Sequence, residues 1–282
     1  MVEMKRRLVS QLLSHIVLIL TSLFALFPIY FILWTSFSKI QLAALSTSLL
    51  PDPRTLTVSN YLTILKYSQF SLWLENSLIF GISSAVIGIG LAAFTGYGLS
   101  RFNFPGRKTL IYFIIGISLF PGIVLIIPFY FMFAKLNLID TYIGLIIPYS
   151  AGSVIFSGIL VKNYIDGIPE ELEEAALVDG YGRTGAFFRV ILPLCKPILA
   201  LGVVLAFVGP YTDYALANAF ITSSNLWTLA LGLYKTSQTV GIGFNYGIFS
   251  AFSFLMGAPI LVLYMVFQKY IISGLTLGGV KG

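Results

Sequence analysis

The segment EELEEAALVDGYGRTGAFFRVILP, residues Glu170 to Pro193, decides how this sequence is interpreted. It places five acidic residues in its first ten positions and then three glycines between Gly180 and Gly185. The chain as a whole is strongly apolar, with 57% hydrophobic and only 10% charged residues, whereas soluble domains carry ~25% charged residues. The segment is therefore a polar insertion in an integral membrane protein.

The insertion predicts two short helices joined by a tight turn. Pro169 suits a first helical turn, and the glutamates that follow favour the positive end of the helix dipole. Gly180 and Gly182 can supply a left-handed stop, after which RTGAFFRVIL forms a second short helix ending at Pro193. Leu172, Ala175, Ala176 and Asp179 recur at spacings of three and four, so one face of the first helix carries a leucine and two alanines. Small side chains on an exposed face would allow a partner to approach closely. A solvated hairpin that only links two spans is the alternative.

Six apolar runs of near-bilayer length flank and precede this insertion, so the chain is predicted to be an all-α membrane protein with six transmembrane helices. The first run follows a basic amino terminus, but it is too long for a signal peptide and lacks a cleavage site, which predicts a retained anchor. The runs are Leu12–Trp34, Asn76–Leu99, Leu110–Phe133, Tyr142–Val161, Ile198–Tyr214 and Ile248–Tyr270.

Small residues and prolines within the runs predict how the helices pack and bend. Gly88, Ala92 and Gly96 recur every four residues and form a face suited to close helix packing. Prolines inside the runs free backbone carbonyls and predict kinks, as at Pro121 in the third run and Pro148 in the fourth.

The basic residues predict the orientation of the chain. If the amino terminus is cytoplasmic, twelve of the 17 lysines and arginines lie in inner segments and five in outer ones. The positive-inside bias therefore predicts that both termini are cytoplasmic, and with them the loop of residues 162–196. Because this bias accounts for the net charge of +6, no nucleic acid partner is expected.

Several kinds of chemistry are absent from the sequence. It contains no P-loop pattern, so the chain is not expected to bind ATP itself. Cys195 is its only cysteine and His15 its only histidine, which excludes a zinc cluster and a cysteine–histidine pair within one chain. An enzyme is therefore not expected. An ion-coupled secondary transporter or a channel subunit remains the alternative class, although Glu75 and Asp213 lie near span ends rather than at midplane.

The polar loop carries a recognisable motif. Glu174, Ala175, Ala176 and Gly180, followed by Leu192 and Pro193, resemble the EAA loop of permease subunits of binding-protein-dependent ABC importers, although Val190 replaces the usual isoleucine. The resemblance implies a type I ABC importer permease fold. It also implies that these six residues couple the chain to a cytoplasmic ATPase.

Two further segments resemble carbohydrate permeases of the maltose type. The ending LTLGGVKG is similar to their carboxyl tail and implies that an ATPase-contacting tail is formed by Gly278, Gly279, Val280, Lys281 and Gly282. The loop SSNLWTLALGLY, from Ser223 to Tyr234, is similar to their last outer loop. It implies that a sugar-binding protein contacts this chain at Thr222, Ser223, Ser224 and Asn225.

The resemblance implies a division of the chain and a set of partners. Residues 1–75 would form an anchor helix and first outer loop, residues 76–272 the permease core, and residues 273–282 a cytoplasmic tail. The partners would be a second permease chain, two copies of a P-loop ATPase that hold ATP and Mg²⁺, and an extracytoplasmic sugar-binding protein, assembled at the cell (inner) membrane. This chain would hold no cofactor.

The solute itself is less well defined by the sequence. The resemblance implies a sugar such as maltose, a maltodextrin or trehalose, with the choice between them and between a homodimeric and a heterodimeric permease left open. A sugar path needs aromatic surfaces and modest hydrogen-bonding groups. The spans offer Tyr149, Ser150, Ser153, Tyr211, Asp213 and Tyr214, which interface aromatics or interhelical hydrogen bonds would explain equally well.

Overall fold

The computed structural model of the protein describes residues 2–39, 53–66, 68–239 and 246–279. These residues are almost entirely helical, and within these ranges the only strand-like pairing is an isolated bridge between Ser38 and Leu56. The prediction of an all-α protein is confirmed.

The helices in chain order include short 3₁₀ turns at Pro53–Thr55 and Ser224–Leu226 and a π-helical turn at Phe187–Ile191. The α-helices are α1 (Val2–Ser36), α2 (Ser59–Lys66), α3 (Ser68–Arg101), α4 (Arg107–Ser118), α5 (Gly122–Lys135), α6 (Tyr142–Ile165), α7 (Glu171–Val178), α8 (Arg183–Ala186), α9 (Leu192–Leu194), α10 (Lys196–Thr212), α11 (Ala215–Phe220), α12 (Leu229–Thr239) and α13 (Tyr246–Gly279).

Four of these helices, α1, α3, α6 and α13, are long and apolar enough to cross a membrane. Two bent pairs bring the number of candidate spans to six if each pair crosses once: α4 with α5 at 100°, and Arg183–Leu194 with α10 at 76°. The described residues thus provide four to six candidate spans, as in a multi-pass membrane protein. The third apolar run was expected to be one kinked helix, but α4 ends at Ser118 and Pro121 caps the separate helix α5.

The first compact unit comprises Met1–Ser68 and Lys235–Gly257. Asn60 is buried and its Nδ2 donates to the carbonyl oxygens of Ser36 and Ser38 at 2.9 and 3.0 Å, which ties α2 to the end of α1. Earlier along α1, Leu12 and Phe24 are exposed although apolar. A helix that is apolar and exposed all round is expected where its solvent is lipid.

The second compact unit comprises Gln69–Tyr234 and Ala258–Gly282, and within it α3 lies close against α6. A Cβ added to Gly88 would lie 2.6 Å from the Cβ of Ser153, and one added to Gly96 would lie 2.6 Å from the Cγ1 of Val161. Ala92, between these glycines, is fully buried. The predicted small-residue face is therefore confirmed, because it lets the two helices approach closely.

Leucine at position 96 is expected to separate α3 from α6. Its side chain would overlap Val161 and the backbone nitrogen of Lys162, which an added Cβ would approach to 2.8 Å. Overpacking of this kind costs about 1–3 kcal/mol. We expect Gly96→Leu to lower the melting temperature of the purified protein by several degrees.

The control for this substitution lies two residues further along the same helix. A Cβ added to Gly98 meets nothing within 4 Å. Gly98→Leu should therefore leave the melting temperature close to that of the wild-type protein. Equal destabilisation by the two substitutions would show that helix propensity, rather than the close contact with α6, determines the effect.

Candidate functional site

The polar loop between α6 and α10 forms the helix, turn and helix that the sequence predicts. α7 ends in a Schellman turn, in which the N–H of Gly180 donates to the carbonyl of Leu177 at 3.1 Å and the N–H of Tyr181 donates to that of Ala176 at 3.0 Å. Gly180 has φ of 86°, a left-handed conformation that glycine adopts at little cost. Gly182 has φ of −68° and ψ of 169°, so Gly180 alone makes the left-handed stop.

The exposed face of α7 differs from the face expected from the sequence. Ala176 is only 5% exposed and turns into the protein, whereas Val178 is 87% exposed. Leu172, Glu174 and Ala175 remain exposed. The expected exposed face is therefore wrong at Ala176, which lies three residues after the buried Glu173 and shares the inward face of the helix with it.

Glu173 holds α7 against the carboxyl-terminal end of α3. Its side chain is 9% exposed, and its Oε2 accepts from the Nε of Arg101 at 3.2 Å, while its Oε1 accepts from the hydroxyl of Tyr97 at 2.5 Å. The Arg101 side chain is 6% exposed and also donates from Nη2 to the carbonyl of Ile168 at 2.7 Å. Both charges are thus paired and hydrogen-bonded, as buried charges require. We call Tyr97, Arg101 and Glu173 the clamp.

A second set of contacts fixes the start of the loop at the end of α6. The hydroxyl of Ser100 donates to Oδ1 of Asp166 at 2.6 Å. Lys162, which lies one helical turn before Asp166, donates to its Oδ2. Burial opposes ionisation of Asp166, but the hydrogen bonds from Lys162 and Ser100 outweigh it and hold the pKa of this carboxyl below its usual range. The first half of the loop is therefore attached to α3 at two points, Asp166 and Glu173.

The second half of the loop packs into the spans through its π-helical turn. Phe187 and Ile191 are buried in a cluster with Tyr97 and Val161, which belong to α3 and α6. Leu192 packs against the same cluster, whereas Pro193 is exposed. The second half of the loop is therefore packed tightly against α3 and α6, because such interiors resist compression.

The predicted path residues do not form one surface. Tyr149 and Ser153 line an open groove of about 350 Å³ beside α10, together with Asp213. Ser150 is buried, and its hydroxyl has no hydrogen-bond partner among the residues that the structure describes. Tyr211 is fully buried and stacks on Phe207 with a centroid distance of 5.0 Å. Tyr214 instead packs on Tyr234, at 4.3 Å.

The segment Thr222–Asn225 is the exposed tip of a loop, and Asp140 binds its backbone. Oδ1 of Asp140 accepts from the backbone N–H groups of Thr222 and Ser223 at 3.0 and 2.9 Å, and Ser223 also donates its hydroxyl to Oδ2. Burial opposes ionisation of Asp140, but the hydrogen bonds from Ser223 and Thr222 outweigh it, so the pKa of Asp140 lies below its ordinary value.

Asn76 supports the other side of this tip. It is fully buried, and its Nδ2 donates to the carbonyl oxygens of Asn225 and Trp227 at 2.8 and 3.0 Å. Its Oδ1 accepts from the hydroxyl of Tyr142 at 2.6 Å. The backbone of the tip is therefore fixed, while the side chains of Ser224 and Asn225 remain exposed.

The structure describes only part of the predicted tail. Gly278 and Gly279 close α13, and Val280, Lys281 and Gly282 lie outside the described residues.

The sequence analysis did not single out the residues that position these surfaces. Arg101, Asp140 and Asn76 are single polar residues at or beside the ends of apolar runs, and Glu173 lies one position before the recognised motif. The available signal was the position of Arg101 as the first charge after a long apolar run, because a charge at such a boundary needs a partner.

Comparisons with known proteins agree with this arrangement. Residues 84–276 match the family described as binding-protein-dependent transport system inner membrane component. The chain is 31% identical over 278 residues to the galactooligosaccharides transport system permease protein GanQ of Bacillus subtilis, covering 98% of each chain. It is 30% identical over 281 residues to the maltodextrin transport system permease protein MalD of Streptococcus pneumoniae, covering 100% of this chain and 99% of MalD.

The fold also matches solved structures. A crystal structure of a bacterial ABC transporter involved in the import of the acidic polysaccharide alginate contains a chain that superposes with a TM-score of 0.76 at 25% identity. The match covers 93% of this chain and 96% of that one. Together with the family match over most of the chain, this shows that the protein belongs to the family of binding-protein-dependent transport system inner membrane components, multi-pass permease subunits of ABC importers.

Proposed function

We propose that this chain forms half of the membrane pathway of an ATP-driven importer that carries a neutral oligosaccharide, of the maltodextrin or maltose class or trehalose, into the cytoplasm. The family membership and the named activities of GanQ and MalD support a sugar as solute. An ion-coupled transporter or channel is not favoured, because the family match covers residues 84–276. The basic residues favour six spans with both termini in the cytoplasm.

The observation that carries this proposal is the construction of α7. A helix that is clamped to α3 on one side by a buried ion pair, and exposes Leu172, Ala175 and Val178 on the other, is suited to dock on a partner and to transmit its movement. The partner is a P-loop ATPase, present in two copies with ATP and Mg²⁺. Gly180 fixes the turn behind the docking helix, and Leu192 and Pro193 connect it to α10.

Two further partners complete the importer, one within the membrane and one outside it. A second permease chain completes the path, and an external sugar-binding protein contacts the tip Thr222–Asn225. Residues 1–75 serve as anchor and first outer loop, residues 76–272 as transport core, and Gly278–Gly282 extend toward the ATPase. Solute capture outside favours closure of the ATPases, and α7 transfers that closure to the spans.

The docking function can be tested by affinity purification of the tagged chain from its native membrane, followed by mass spectrometry. Wild type should recover a P-loop ATPase. Ala175→Arg should lose it, because a long cation replaces a small side chain on the exposed face of α7. Asn218→Arg is the control, since Asn218 is also exposed but lies on α11, away from the loop. An ATPase that stays bound to Ala175→Arg, or a wild-type chain recovered alone, would refute the proposal.

A further inference from the structure

The groove beside α10 has walls that are mainly apolar and a single carboxylate, that of Asp213. Its volume is about 350 Å³, within the range of about 300–1,000 Å³ of small-molecule sites. Pro148, Phe156 and Leu205 supply apolar surface, and Tyr149 and Asp213 supply polar groups. In the part of the chain that the structure describes, no lysine, arginine or histidine lines this groove.

The hydrogen bonds of Asp213 leave one carboxylate oxygen available. Its Oδ2 accepts from the hydroxyl of Tyr149 at 2.8 Å and from the backbone N–H groups of Leu216 and Ala217 at 2.9 and 3.1 Å. Among the described residues, Oδ1 of Asp213 makes no hydrogen bond. A carboxylate oxygen is an acceptor only, so a bound solute must offer it a donor, such as a sugar hydroxyl.

We propose that Asp213, oriented by Tyr149, determines charge specificity in this groove: it accepts a hydroxyl of a neutral sugar and excludes sugars that carry a carboxylate or sulfonate. This inference rests on the proposed function, because it takes the groove to be part of the sugar path. Like charges repel more strongly in a groove with apolar walls than in bulk water, because such walls focus the field. An importer of an acidic polysaccharide would need a different residue here.

Asp213 also has a structural role that an experiment must separate from specificity. Its Oδ2 caps the first turn of α11 through Leu216 and Ala217. Asparagine caps helices as well as aspartate does and can still accept from Tyr149. Asp213→Asn therefore removes the charge and keeps the cap, whereas Asp213→Ala removes both.

The electrostatic part of the proposal can be tested without any sugar. Gly152 and Gly209 line the groove, and a Cβ added to either meets nothing within 4 Å, so cysteine fits at both positions. Each cysteine variant, assembled in the complete transporter in a Cys195→Ala background, is treated with a cationic and an anionic methanethiosulfonate reagent. Labelling of the peptide is followed by mass spectrometry and normalised to free 2-mercaptoethanol.

We expect the cationic reagent to react on the order of tenfold faster than the anionic one. Addition of Asp213→Asn should remove most of this preference at both positions. An equal preference with and without the carboxylate would overturn the proposal, and so would faster labelling by the anionic reagent in the wild-type background.

The transport part uses proteoliposomes that contain the complete transporter and its binding protein. Uptake of maltotriose is compared with uptake of maltotrionate, its singly oxidised acid. Asp213→Asn should lower the ratio of neutral to anionic uptake by about tenfold, equivalent to ~1.4 kcal/mol. The binding protein is the same in both preparations, so its own preference cancels from the comparison.

The possible results separate the role of Asp213 from the proposed import of sugar. An unchanged uptake ratio, with transport intact, would overturn the role of Asp213 and leave the importer function standing. If the wild-type complex showed neither sugar uptake nor sugar-stimulated ATP hydrolysis, the proposed sugar import itself would be refuted. In that case the cysteine labelling still decides whether Asp213 sets the potential of the groove.

Discussion

Replacement of Arg101 by leucine is expected to release α7 from α3 and to abolish sugar-stimulated ATP hydrolysis by the assembled transporter. The substitution leaves Glu173 charged, buried and without its cationic partner. Breaking a buried pair by removal of one partner costs about 3–5 kcal/mol. We expect a lower melting temperature and faster amide hydrogen exchange in α7, measured by mass spectrometry on the purified complex.

The double variant Arg101→Leu with Glu173→Leu is the matched control for this prediction. Replacement of a whole buried ion pair by apolar residues is often neutral or stabilising. The double variant should therefore recover most of the melting temperature. Its ATP hydrolysis then reports whether the clamp has a role beyond stability. If the single variant behaved like wild type in stability and exchange, the clamp would not hold the loop.

Valine at position 180 is expected to disrupt the turn that ends α7. Gly180 has φ of 86°, and a side chain in the left-handed region costs roughly 1–2 kcal/mol, more for a β-branched residue. The Schellman hydrogen bonds to Ala176 and Leu177 would be lost with the turn. We expect Gly180→Val to lose the co-purified ATPase while the chain still reaches the membrane.

Gly182 offers a control only two residues away. Its backbone is extended, with φ of −68° and ψ of 169°, and an added Cβ meets nothing within 4 Å. Gly182→Val should therefore retain the ATPase in affinity purification, and Gly180→Asn should lie between the two because asparagine tolerates the left-handed region. Equal losses in Gly180→Val and Gly182→Val would show that the backbone conformation of Gly180 is not the cause.

The turn at Gly180 and the clamp both position α7, but in different ways. The turn at Gly180 determines the direction in which the chain leaves α7, and the clamp determines where α7 lies against the spans. The turn is local, since its hydrogen bonds join residues within six positions of one another. The clamp joins residues 72 and 76 positions apart in sequence, Arg101 and Tyr97 with Glu173.

The sequence alone determined what depends on composition, periodicity and local backbone geometry. Apolar runs of bilayer length predicted a multi-pass helical protein, because lipid requires every backbone group to be bonded within a helix. The spacing of Gly88, Ala92 and Gly96 predicted a close helix contact, which α6 fills. The EAA pattern predicted helix, turn and helix, because its glutamates, alanines and Gly180 each specify a local conformation.

Tertiary structure alone decided what depends on partners that are distant in sequence. It turned Ala176 inward and Val178 outward, a choice that helical spacing leaves open. It broke the third apolar run into α4 and α5 at 100°, where proline permits a bend but neighbouring helices determine its size. It also brought Tyr149 to Asp213 while it buried Ser150 and Tyr211 elsewhere. Side-chain direction is set by packing across helices, and that information is distributed over the whole chain.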